Sequence, residues 1–414
     1  MMIPEEFYKA SLDVTGDAAD AFRAAMECEP AVSVRLNRRK LDSPDALGYG
    51  PLERVAWCRD GYYLPDRPKF TLNPLLHAGA FYVQDASSMI HQTLVETLVE
   101  RGLLHDRPLV LDLCAAPGGK TTAMINALPD GAFVVANEVM PQRVKILAEN
   151  LQKWGYPDIL VTGSRSSDFA ALGAMFDLIA VDAPCSGEGM MRKDEEARAQ
   201  WSPRLVEQCA SLQREILADA VEALRPGGVL IYSTCTFNRR ENEDNVRWLV
   251  DEFGLEPLDH GLPEGSGPAP QVEGPVPALR FMPHLTRGEG LFVAMLCKPG
   301  DVPAAPRAKA RDTLRRKLRV VLDGIQRSTM KGNTELPAST LCLASDYDHS
   351  LFPEVELDLD TALRYLRHEA ITLPPEAPRG YVVVTYKGHP LGLVKNIGNR
   401  ANNLYPAHWR IRNL

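Results

Sequence analysis

The sequence predicts an α/β fold built on a doubly wound, mostly parallel sheet, with a smaller region on each side of it in the chain. Between residues 105 and 298, apolar runs that fit buried strands alternate with amphipathic stretches that fit helices. The chain has 414 residues, which corresponds to two or three domains at roughly 150 residues each. Hydrophobic residues make up 45% and charged residues 24%, so the chain can bury a large core without disulfide staples.

Five continuous apolar runs predict the strands of the sheet, because strands buried on both faces show no alternating pattern. They are PLVLDLC from Pro108, FVVANE from Phe133, DILVTG, FDLIAVDAP from Phe176 and GVLIYSTC from Gly228. Helical stretches separate them, among them PQRVKILAENLQKWG and a long one over about residues 203–224. The later runs LRFMPHL and GLFVAMLCK predict two last strands, antiparallel to each other or to the sheet.

Changes in composition place the domain boundaries. Residues 1–104 begin as a helical stretch and continue as a mixed region that ends in an amphipathic helix. Residues 105–298 form the predicted α/β domain, and residues 299–310, PGDVPAAPRAKA, are rich in proline and alanine and predict a linker. Residues 311–414 open with a basic helix and continue with short strands, which predicts a small α+β domain.

Two basic clusters stand out in a chain that is acidic as a whole. The net charge of −8 argues only weakly against nucleic-acid binding, since local charge decides such contacts. Each cluster is either a candidate nucleic-acid surface or a solvated helix face. Their members are Arg35, Arg38, Arg39 and Lys40 in the first cluster, and Arg307, Lys309, Arg311, Arg315, Arg316, Lys317 and Arg319 in the second.

Cysteine usage and the N-terminus predict a cytoplasmic protein with free thiols. The eight cysteines are scattered, with no C-x-x-C pair and no spacing typical of metal ligands, so no metal is expected. The N-terminal MMIPEEFYKA lacks the basic start and apolar run of a signal peptide. No apolar stretch approaches the roughly 18 residues that a membrane span requires, and no membrane partner is expected.

A glycine-rich turn marks a candidate cofactor site. LDLCAAPGGKTT lies where the first strand passes into a helix, and Gly118 and Gly119 allow a ligand to approach the backbone closely. Glu138 ends the second strand about 20 residues later, where an acid grips ribose hydroxyls in nucleotide-binding folds. The turn lacks both GxGxxG and GxxxxGK[ST], which argues against NAD and against a phosphate-loop role for Lys120. The alternative is a simple tight turn with Glu138 as a helix cap.

Two cysteines follow neighbouring predicted strands. Cys185 lies in DAPCSGEGMMRKD after the fourth strand, and Cys235 lies in STCTFN after the fifth. Ligands bind at the carboxyl ends of parallel strands, so both thiols and Asp182 are expected near one pocket. Either cysteine alone is more often a small buried hydrophobic residue, but two of them at strand ends in polar surroundings are a less frequent accident.

These motifs together resemble the Sun/Nop family of RNA cytosine-carbon-5 methyltransferases. The resemblance is carried by LDLCAAPGGKTT, NEVMPQRVKILAENLQKWG, DAPCSGEGMMRKD with the later Trp201, and YSTCTFNRRENEDNV. RLNRRK and FYVQDASSM resemble the N-terminal region of the family, and HPLGLVKNIGNRANNLYPAHWR resembles the tail of its bacterial RsmF-type branch. The resemblance implies a Rossmann-like S-adenosylmethionine methyltransferase domain, with an N-terminal α+β RNA-binding region and a C-terminal PUA-like α+β domain.

The resemblance also implies roles for individual residues. Cys235 would be the nucleophile, Cys185 would assist product release, and Lys120 and Asp182 would complete the catalytic group. RNA would be the partner, with 16S ribosomal RNA of the small subunit favoured and transfer RNA as the alternative. The implied residues that bind S-adenosylmethionine are Cys114, Ala115, Ala116, Pro117, Gly118, Gly119, Lys120, Glu138 and Asp182.

The chemistry of cytosine explains why such residues are needed. Carbon 5 of cytosine is a poor nucleophile until a thiolate adds to carbon 6, after which it attacks the electrophilic methyl group. An acid that pairs with ring nitrogen 3 stabilises the adduct, and Asp182 is placed for this. Lys120 and Lys193 are cations that favour a thiolate or hold a phosphate.

One departure and two alternatives accompany the resemblance. Many members carry an acid after the third strand that contacts adenine, whereas this chain has VTGSRSSDF, with Asp168 displaced and Ser164 or Arg165 at the usual position. In a DNA-type enzyme Cys185 would be the nucleophile and Cys235 structural. A non-catalytic ribosome assembly factor would often lose Cys235 or the GGK loop, and both are present.

Overall fold

The computed structural model of the chain describes residues 2–262, 277–300 and 307–412. Half of the predicted linker, residues 301–306, lies outside the described residues, and a helix begins at Arg307. The α-helices of the described part are α1 (Glu5–Ala10), α2 (Leu12–Thr15), α3 (Ala19–Glu27), α4 (Pro74–His77), α5 (Ile90–Glu100), α6 (Gly119–Ala127), α7 (Pro141–Trp154), α8 (Ser166–Ala170), α9 (Glu195–Gln200), α10 (Pro203–Ala223), α11 (Glu243–Phe253), α12 (Arg307–Lys317) and α13 (Leu359–Leu366).

The strands fall into three larger groups along the chain. The N-terminal strands are β1 (Val32–Leu36), β2 (Glu53–Arg54), β3 (Gly61–Leu64) and β4 (Phe81–Val83). The central strands are β5 (Leu109–Asp112), β6 (Phe133–Asn137), β7 (Ile159–Thr162), β8 (Phe176–Asp182), β9 (Leu224–Thr234), β10 (Glu256–Leu258), β11 (Ala278–Phe281), β12 (Leu291–Cys297) and β13 (Val320–Asp323). The C-terminal strands are β14 (Ser328–Lys331), β15 (Thr334–Pro337), β16 (Glu354–Glu356), β17 (Gly380–Tyr386), β18 (His389–Asn396) and β19 (Ala401–Asn403).

The central sheet confirms the predicted α/β class. Its strand order among the described residues is β10-β12-β9-β8-β5-β6-β7-β13, with β11 also paired to β12. The strands β5 to β9 are parallel, while β12 runs antiparallel to β9 and β11 antiparallel to β12. Both predicted pairings of the last two strands are therefore present. The fifth strand begins at Leu224, earlier than predicted, because Leu224 already pairs with Phe176 of β8.

Capping residues in the sequence determine where the helices that cover this sheet begin and end. The helix α7 begins with Pro141 at its first position and ends at Trp154. Gly155 caps it, with a φ of 85° that gives the left-handed conformation glycine adopts without strain. Ser202 caps α10, its hydroxyl accepting from the backbone N–H of Leu205 at 3.2 Å. Apolar residues of α5, α6 and α7 pack on one face of the sheet, and those of α10 and α11 pack on the other.

The first basic cluster is not a solvated helix face. Arg35 on β1 is fully buried, and its guanidinium donates to Gln84 Oε1 at 2.8 Å and to Thr122 Oγ1 at 2.6 Å. The Lys40 ammonium donates to the carbonyl oxygens of Ala78 and Lys153, both at 2.7 Å. These two cations fasten the N-terminal region to the central domain. Only Arg38 and Arg39 of the cluster are exposed at the surface.

The second basic cluster begins as part of the central domain. The helix α12 buries Leu314 in the core, and β13 adds an antiparallel edge strand to β7, with Val320 opposite Thr162. This helix and strand therefore complete the central sheet, although they follow the predicted linker in the chain. Arg311 pairs with Asp158 at 3.1 Å, whereas Arg316, Lys317 and Arg319 are exposed.

A small α+β unit follows these elements. Its sheet has the order β16-β17-β18-β19, and α13 buries Ala362, Tyr365 and Leu366 against it. It contacts the central domain directly, since the backbone N–H of Ser345 donates to the carbonyl oxygen of Gly155 at 2.8 Å.

Candidate active site

The predicted site residues meet at the carboxyl edge of the parallel strands. The glycine-rich turn follows β5, Glu138 follows β6, Asp182 ends β8, and Cys235 follows β9. The strand β5 lies between β6 and β8, so the chain leaves the sheet in opposite directions on its two sides. This is the switch point at which doubly wound sheets open a crevice for ligands.

The glycine-rich turn is shaped by one residue with a left-handed backbone. Gly118 has a φ of 111°, and a Cβ atom there would lie 3.3 Å from Leu147 Cδ1, so both conformation and space favour glycine. Its neighbours are held from outside the pocket. Arg143 donates to the carbonyl oxygen of Ala116 at 2.8 Å, and Asn150 donates to that of Pro117 at 2.8 Å. Contacts within the protein therefore hold the turn in this shape.

Glu138 is buried beside this turn. One carboxylate oxygen accepts from the backbone N–H of Met140 at 2.9 Å, and the other lies 3.1 Å from Arg143. Each oxygen keeps a lone pair, so the carboxylate can still accept from two hydroxyl groups of a ribose.

Asp182 and Lys120 form an ion pair between the turn and the cysteines. The Lys120 ammonium lies 2.7 Å from Asp182 Oδ2, and the Ser233 hydroxyl lies 3.0 Å from Asp182 Oδ1. Burial alone would lower the pKa of Lys120, but the adjacent Asp182 outweighs it and raises that pKa above its ordinary value. Lys120 is therefore a fixed positive charge at the centre of the site.

The two cysteines face each other. Cys185 Sγ lies 3.3 Å from Cys235 Sγ, and both are free thiols. The hydrogen bond to Cys235, together with burial, raises the pKa of Cys185 well above its ordinary value. Cys185 therefore holds its proton and can donate it toward the sulfur of Cys235.

Two buried carboxylates that the sequence analysis missed hold the cysteine loops together. Glu188 accepts from the backbone N–H groups of Phe237 at 2.7 Å and Asn238 at 3.0 Å. Glu241 accepts from the backbone N–H of Ser186 at 3.0 Å and from Gln213 at 2.7 Å. The loop after β8 thus supplies Glu188 as acceptor for backbone N–H groups of the loop after β9. The loop after β9 in turn supplies Glu241 as acceptor for the backbone N–H of Ser186. The available signal was an acid three or six residues after each cysteine, in CSGE and CTFNRRE.

The loop after β7 carries Ser164 and Arg165 at the position where many members of the family have an acid. Asp168 instead accepts from the backbone N–H of Arg165 at 2.9 Å and caps α8. Ser164 is buried, and its hydroxyl accepts from the backbone N–H of Arg319 at 2.9 Å. Arg165 is the exposed side chain at this position. Lys193 forms an ion pair with Glu289.

Two kinds of feature are absent from the described part of the chain. Among residues 2–262, 277–300 and 307–412, no group of three or more His, Cys, Asp or Glu side chains is arranged to hold a metal ion. Over the same residues, no helix combines the length and apolar character needed to cross a membrane.

The fold and the site define an α/β methyltransferase of the Rossmann-like class. Three families match separate parts of the chain: "N-terminal domain of 16S rRNA methyltransferase RsmF" over residues 3–86, "16S rRNA methyltransferase RsmB/F" over residues 103–297, and "Methyltransferase RsmF PUA domain" over residues 352–411. These matches agree with the predicted N-terminal, central and C-terminal regions, and with the predicted PUA-like tail.

Individual relatives extend the match to nearly the whole chain. "Ribosomal RNA small subunit methyltransferase F" of Shewanella amazonensis is 32% identical over 91% of each chain. The protein of the same name from Escherichia coli O7:K1 is 33% identical over 94% of this chain and 92% of its own. The chain therefore belongs to the RsmF branch of the Sun/Nop family of RNA methyltransferases. The predicted resemblance is confirmed, and membership implies S-adenosylmethionine as methyl donor and RNA as substrate.

A solved structure supports the same conclusion. The "Methyltransferase Homolog Protein from Pyrococcus Horikoshii" superposes with a TM-score of 0.59 and 27% identity, over 71% of this chain and 95% of that one.

Proposed function

We propose that this protein methylates carbon 5 of a cytosine in 16S ribosomal RNA, through a covalent adduct between the RNA and Cys235. The observation that carries the proposal is the pair of thiols 3.3 Å apart, next to the Lys120–Asp182 ion pair, at the carboxyl edge of the sheet. A methyl transfer to an oxygen or an exocyclic nitrogen needs no thiol nucleophile. Paired thiols fit a pyrimidine carbon, which must first be activated.

The cofactor half of the proposal rests on the turn after β5. The segment from Cys114 to Lys120, with Glu138 and Asp182, would hold S-adenosylmethionine, with the ribose hydroxyls on Glu138. The left-handed backbone of Gly118 and the free N–H groups at the start of α6 fit a ligand that lies against the main chain. When bound, the sulfonium supplies an electrophilic methyl group.

The protein side chains carry the remaining steps. Cys235 loses its proton to solvent, and its thiolate forms a bond to carbon 6 as Asp182 gives a proton to ring nitrogen 3. Carbon 5 then takes the methyl group. A water molecule removes the proton from carbon 5, the bond between sulfur and carbon 6 breaks, and Asp182 recovers its proton from nitrogen 3. Lys120 offsets the negative charge of the thiolate and the carboxylate.

We assign the two cysteines by the motifs shared with the family, with Cys235 in STCTFN as the nucleophile and Cys185 in DAPCSG as the residue that assists release. Cys185 has a raised pKa and holds its proton, which suits a group that donates to the departing Cys235 sulfur and so assists release. A DNA-type arrangement would need Cys185 as the thiolate, and its surroundings disfavour that state.

RNA contacts are proposed for the exposed part of the second basic cluster and for the C-terminal domain. Arg316, Lys317 and Arg319 are exposed near the loop after β7, and the PUA domain of the relatives occupies residues 352–411. The proposed domain division is residues 1–104, 105–298 and 311–414, with α12 and β13 packed on the central unit.

The experiment that tests the proposed function is bisulfite sequencing of 16S ribosomal RNA from cells with and without this protein. One cytosine that resists conversion in the presence of the protein should become convertible without it, and the Cys235→Ala protein should fail to restore it. An unchanged conversion pattern across 16S ribosomal RNA would contradict the proposal. If a cytosine in transfer RNA instead loses its resistance to bisulfite conversion when the protein is absent, the substrate is transfer RNA.

A further inference from the structure

A buried hydrogen-bonded chain leads from the N-terminal region into the candidate active site. Its first member is His91 on α5, which is 1% exposed. His91 Nδ1 lies 3.1 Å from the carbonyl oxygen of Ser88, and its Nε2 lies 3.2 Å from Ser233 Oγ. The same Ser233 oxygen lies 3.0 Å from Asp182 Oδ1. One hydroxyl group therefore links an imidazole to the carboxylate of the proposed reaction.

The hydrogen-bonded chain from Ser88 to Asp182 contains three contacts. With a neutral imidazole and an ionised carboxylate, only two hydrogen atoms are available to form hydrogen bonds across them. The Ser88 carbonyl can only accept, so the hydrogen of His91 belongs on Nδ1. Nε2 is then an acceptor, and the single hydroxyl hydrogen of Ser233 serves either His91 or Asp182. A proton on Asp182 ends this competition, because the hydroxyl can then turn fully toward His91.

The proposed reaction needs Asp182 in this protonated form. We propose that His91 is a positioning residue that draws the Ser233 hydroxyl away from Asp182, and so makes it easier for Asp182 to carry the proton that it gives to cytosine nitrogen 3. The inference rests on the proposed function. The proton enters Asp182 from water, passes to nitrogen 3 and returns when the thiolate leaves, so no further reactant is involved.

The imidazole does not hold this proton itself. Burial, together with the nearby Lys120 charge, lowers the pKa of His91 to about 3, so the ring is neutral near pH 7. A neutral ring gives Ser233 an acceptor at every working pH. His91 thus acts as a constant competitor for the hydroxyl hydrogen and not as a titrating acid.

The surrounding charges act on Asp182 in both directions. Lys120 on α6 stabilises the ionised carboxylate. Asp112, at the end of β5, is a second carboxylate near Asp182 and favours its protonation; burial and the charge of Asp182 raise the pKa of Asp112 to about 7, against a hydrogen bond from Thr121. These two charges act on Asp182 in opposite directions, and the Ser233 hydroxyl adds a hydrogen bond to one of its oxygens. The other titratable groups that interact with this cluster are Cys114, Cys235 and Tyr232.

The test compares variants of the full-length protein by carbon-13 NMR of labelled aspartate carboxyl groups. The Asp182 signal is identified by its loss in Asp182→Asn. In His91→Leu the hydroxyl serves Asp182 alone, so the carboxyl pKa should fall by about one unit, and single-turnover methylation near pH 7 should slow about tenfold. His91→Gln keeps an acceptor for the hydroxyl and should stay within about twofold of the parent rate.

Ser233→Ala should shift the pKa of Asp182 in the direction opposite to His91→Leu. Asp182 then loses a donor to its charged form, so its pKa should rise, and adding His91→Leu to Ser233→Ala should change it no further. A purely structural role for His91 would slow the reaction without these opposite shifts. An Asp182 pKa that is the same in the parent, His91→Leu and Ser233→Ala would overturn the inference. If His91→Leu does not fold, an unshifted pKa in Ser233→Ala overturns it alone.

The proposed function fails by a separate result. If Cys235→Ala still methylates cytosine, the covalent route is wrong even where the pKa of Asp182 shifts as expected. If Cys235→Ala is inactive but the pKa does not shift, only the role of His91 is wrong.

Discussion

The two halves of the candidate site are held in place by different means. The cofactor half, defined as residues 113–120 with Glu138, is held by main-chain conformation and by side chains that reach its carbonyl oxygens, such as Arg143 and Asn150. The cysteine half, defined as residues 182–189 and 233–241, is held by two buried carboxylates, Glu188 and Glu241. The cofactor half thus depends on its own backbone turn and on two side chains of α7, whereas the cysteine half depends on carboxylates that each loop supplies to the other.

The two halves should respond differently to substitution. A half fixed by its own turn tolerates the loss of a side chain that touches the ligand, and only its affinity falls. A half fixed by buried carboxylates loses its shape when one of them is removed, because several N–H groups are then left unpaired. Substitutions in the two halves should therefore separate affinity from turnover.

The largest expected effect is the loss of methyl transfer by a substitution in the cysteine half that leaves cofactor binding intact. Cys235→Ala should abolish methyl transfer, because no thiolate remains to activate carbon 5, while the dissociation constant for S-adenosylmethionine stays within about threefold. A methyl-transfer assay and calorimetry measure the two quantities. Cys297→Ala, a cysteine at the end of β12, is the matched control and should remain active. Turnover by the Cys235→Ala protein would move the nucleophile to another residue.

The next effect concerns the carboxylates of the cysteine half. Glu241→Ala should lower the free energy of unfolding by about 1–3 kcal/mol and slow methyl transfer, because Ser186 and Gln213 lose their acceptor. Denaturant unfolding and single-turnover rates measure this. Glu207→Ala, an exposed carboxylate on α10, serves as control and should change neither. Unchanged stability in Glu241→Ala would mean that the loops are held by packing instead.

A smaller effect is expected in the cofactor half. Glu138→Ala should weaken S-adenosylmethionine binding by about 1–3 kcal/mol, the cost of leaving ribose hydroxyls without an acceptor. The maximal rate at saturating cofactor should change little, since the cysteine half is untouched. Calorimetry tests the affinity, with Glu149→Ala on α7 as control. An unaltered affinity in Glu138→Ala would place the ribose elsewhere.

The smallest effect concerns RNA. Replacing Arg316 and Lys317 by glutamate should weaken RNA binding and flatten the slope of its salt dependence by roughly 0.7–0.9 for each phosphate that is no longer neutralised. Filter binding at several salt concentrations measures the slope. Arg247→Glu on α11 is the control for a general charge effect. If the slope is the same in the double variant and the parent, these side chains do not touch phosphate.

The sequence predicted the cofactor half more fully than the cysteine half, for a physical reason. The order of strands, the glycine turn and Glu138 follow from local patterns, and the structure brings them together at the predicted sheet edge. Glu188 and Glu241 act across loops that are about 50 residues apart, so no local pattern pairs them.

The basic clusters show the same limit. Both are alike as runs of charge, yet Arg35 and Lys40 are internal ties between domains, and Lys317 is exposed. Burial of a charged side chain depends on what the rest of the chain places around it, which a run of basic residues does not reveal. Asp168 is similar, since a capping position explains it better than a ligand contact does.

The proposed mechanism depends most on the division of labour between the two thiols, and trapping the adduct tests it most directly. The measurement is a denaturing gel of labelled RNA after incubation with S-adenosylmethionine and each protein variant. Cys185→Ala should accumulate a slowly migrating protein–RNA species, because Cys235 still attacks carbon 6 but its release is impaired. The double replacement of Cys185 and Cys235 by alanine should remove that species. Normal turnover by Cys185→Ala without a trapped species would contradict the release role, and a species that persists in the double variant would contradict Cys235 as the nucleophile.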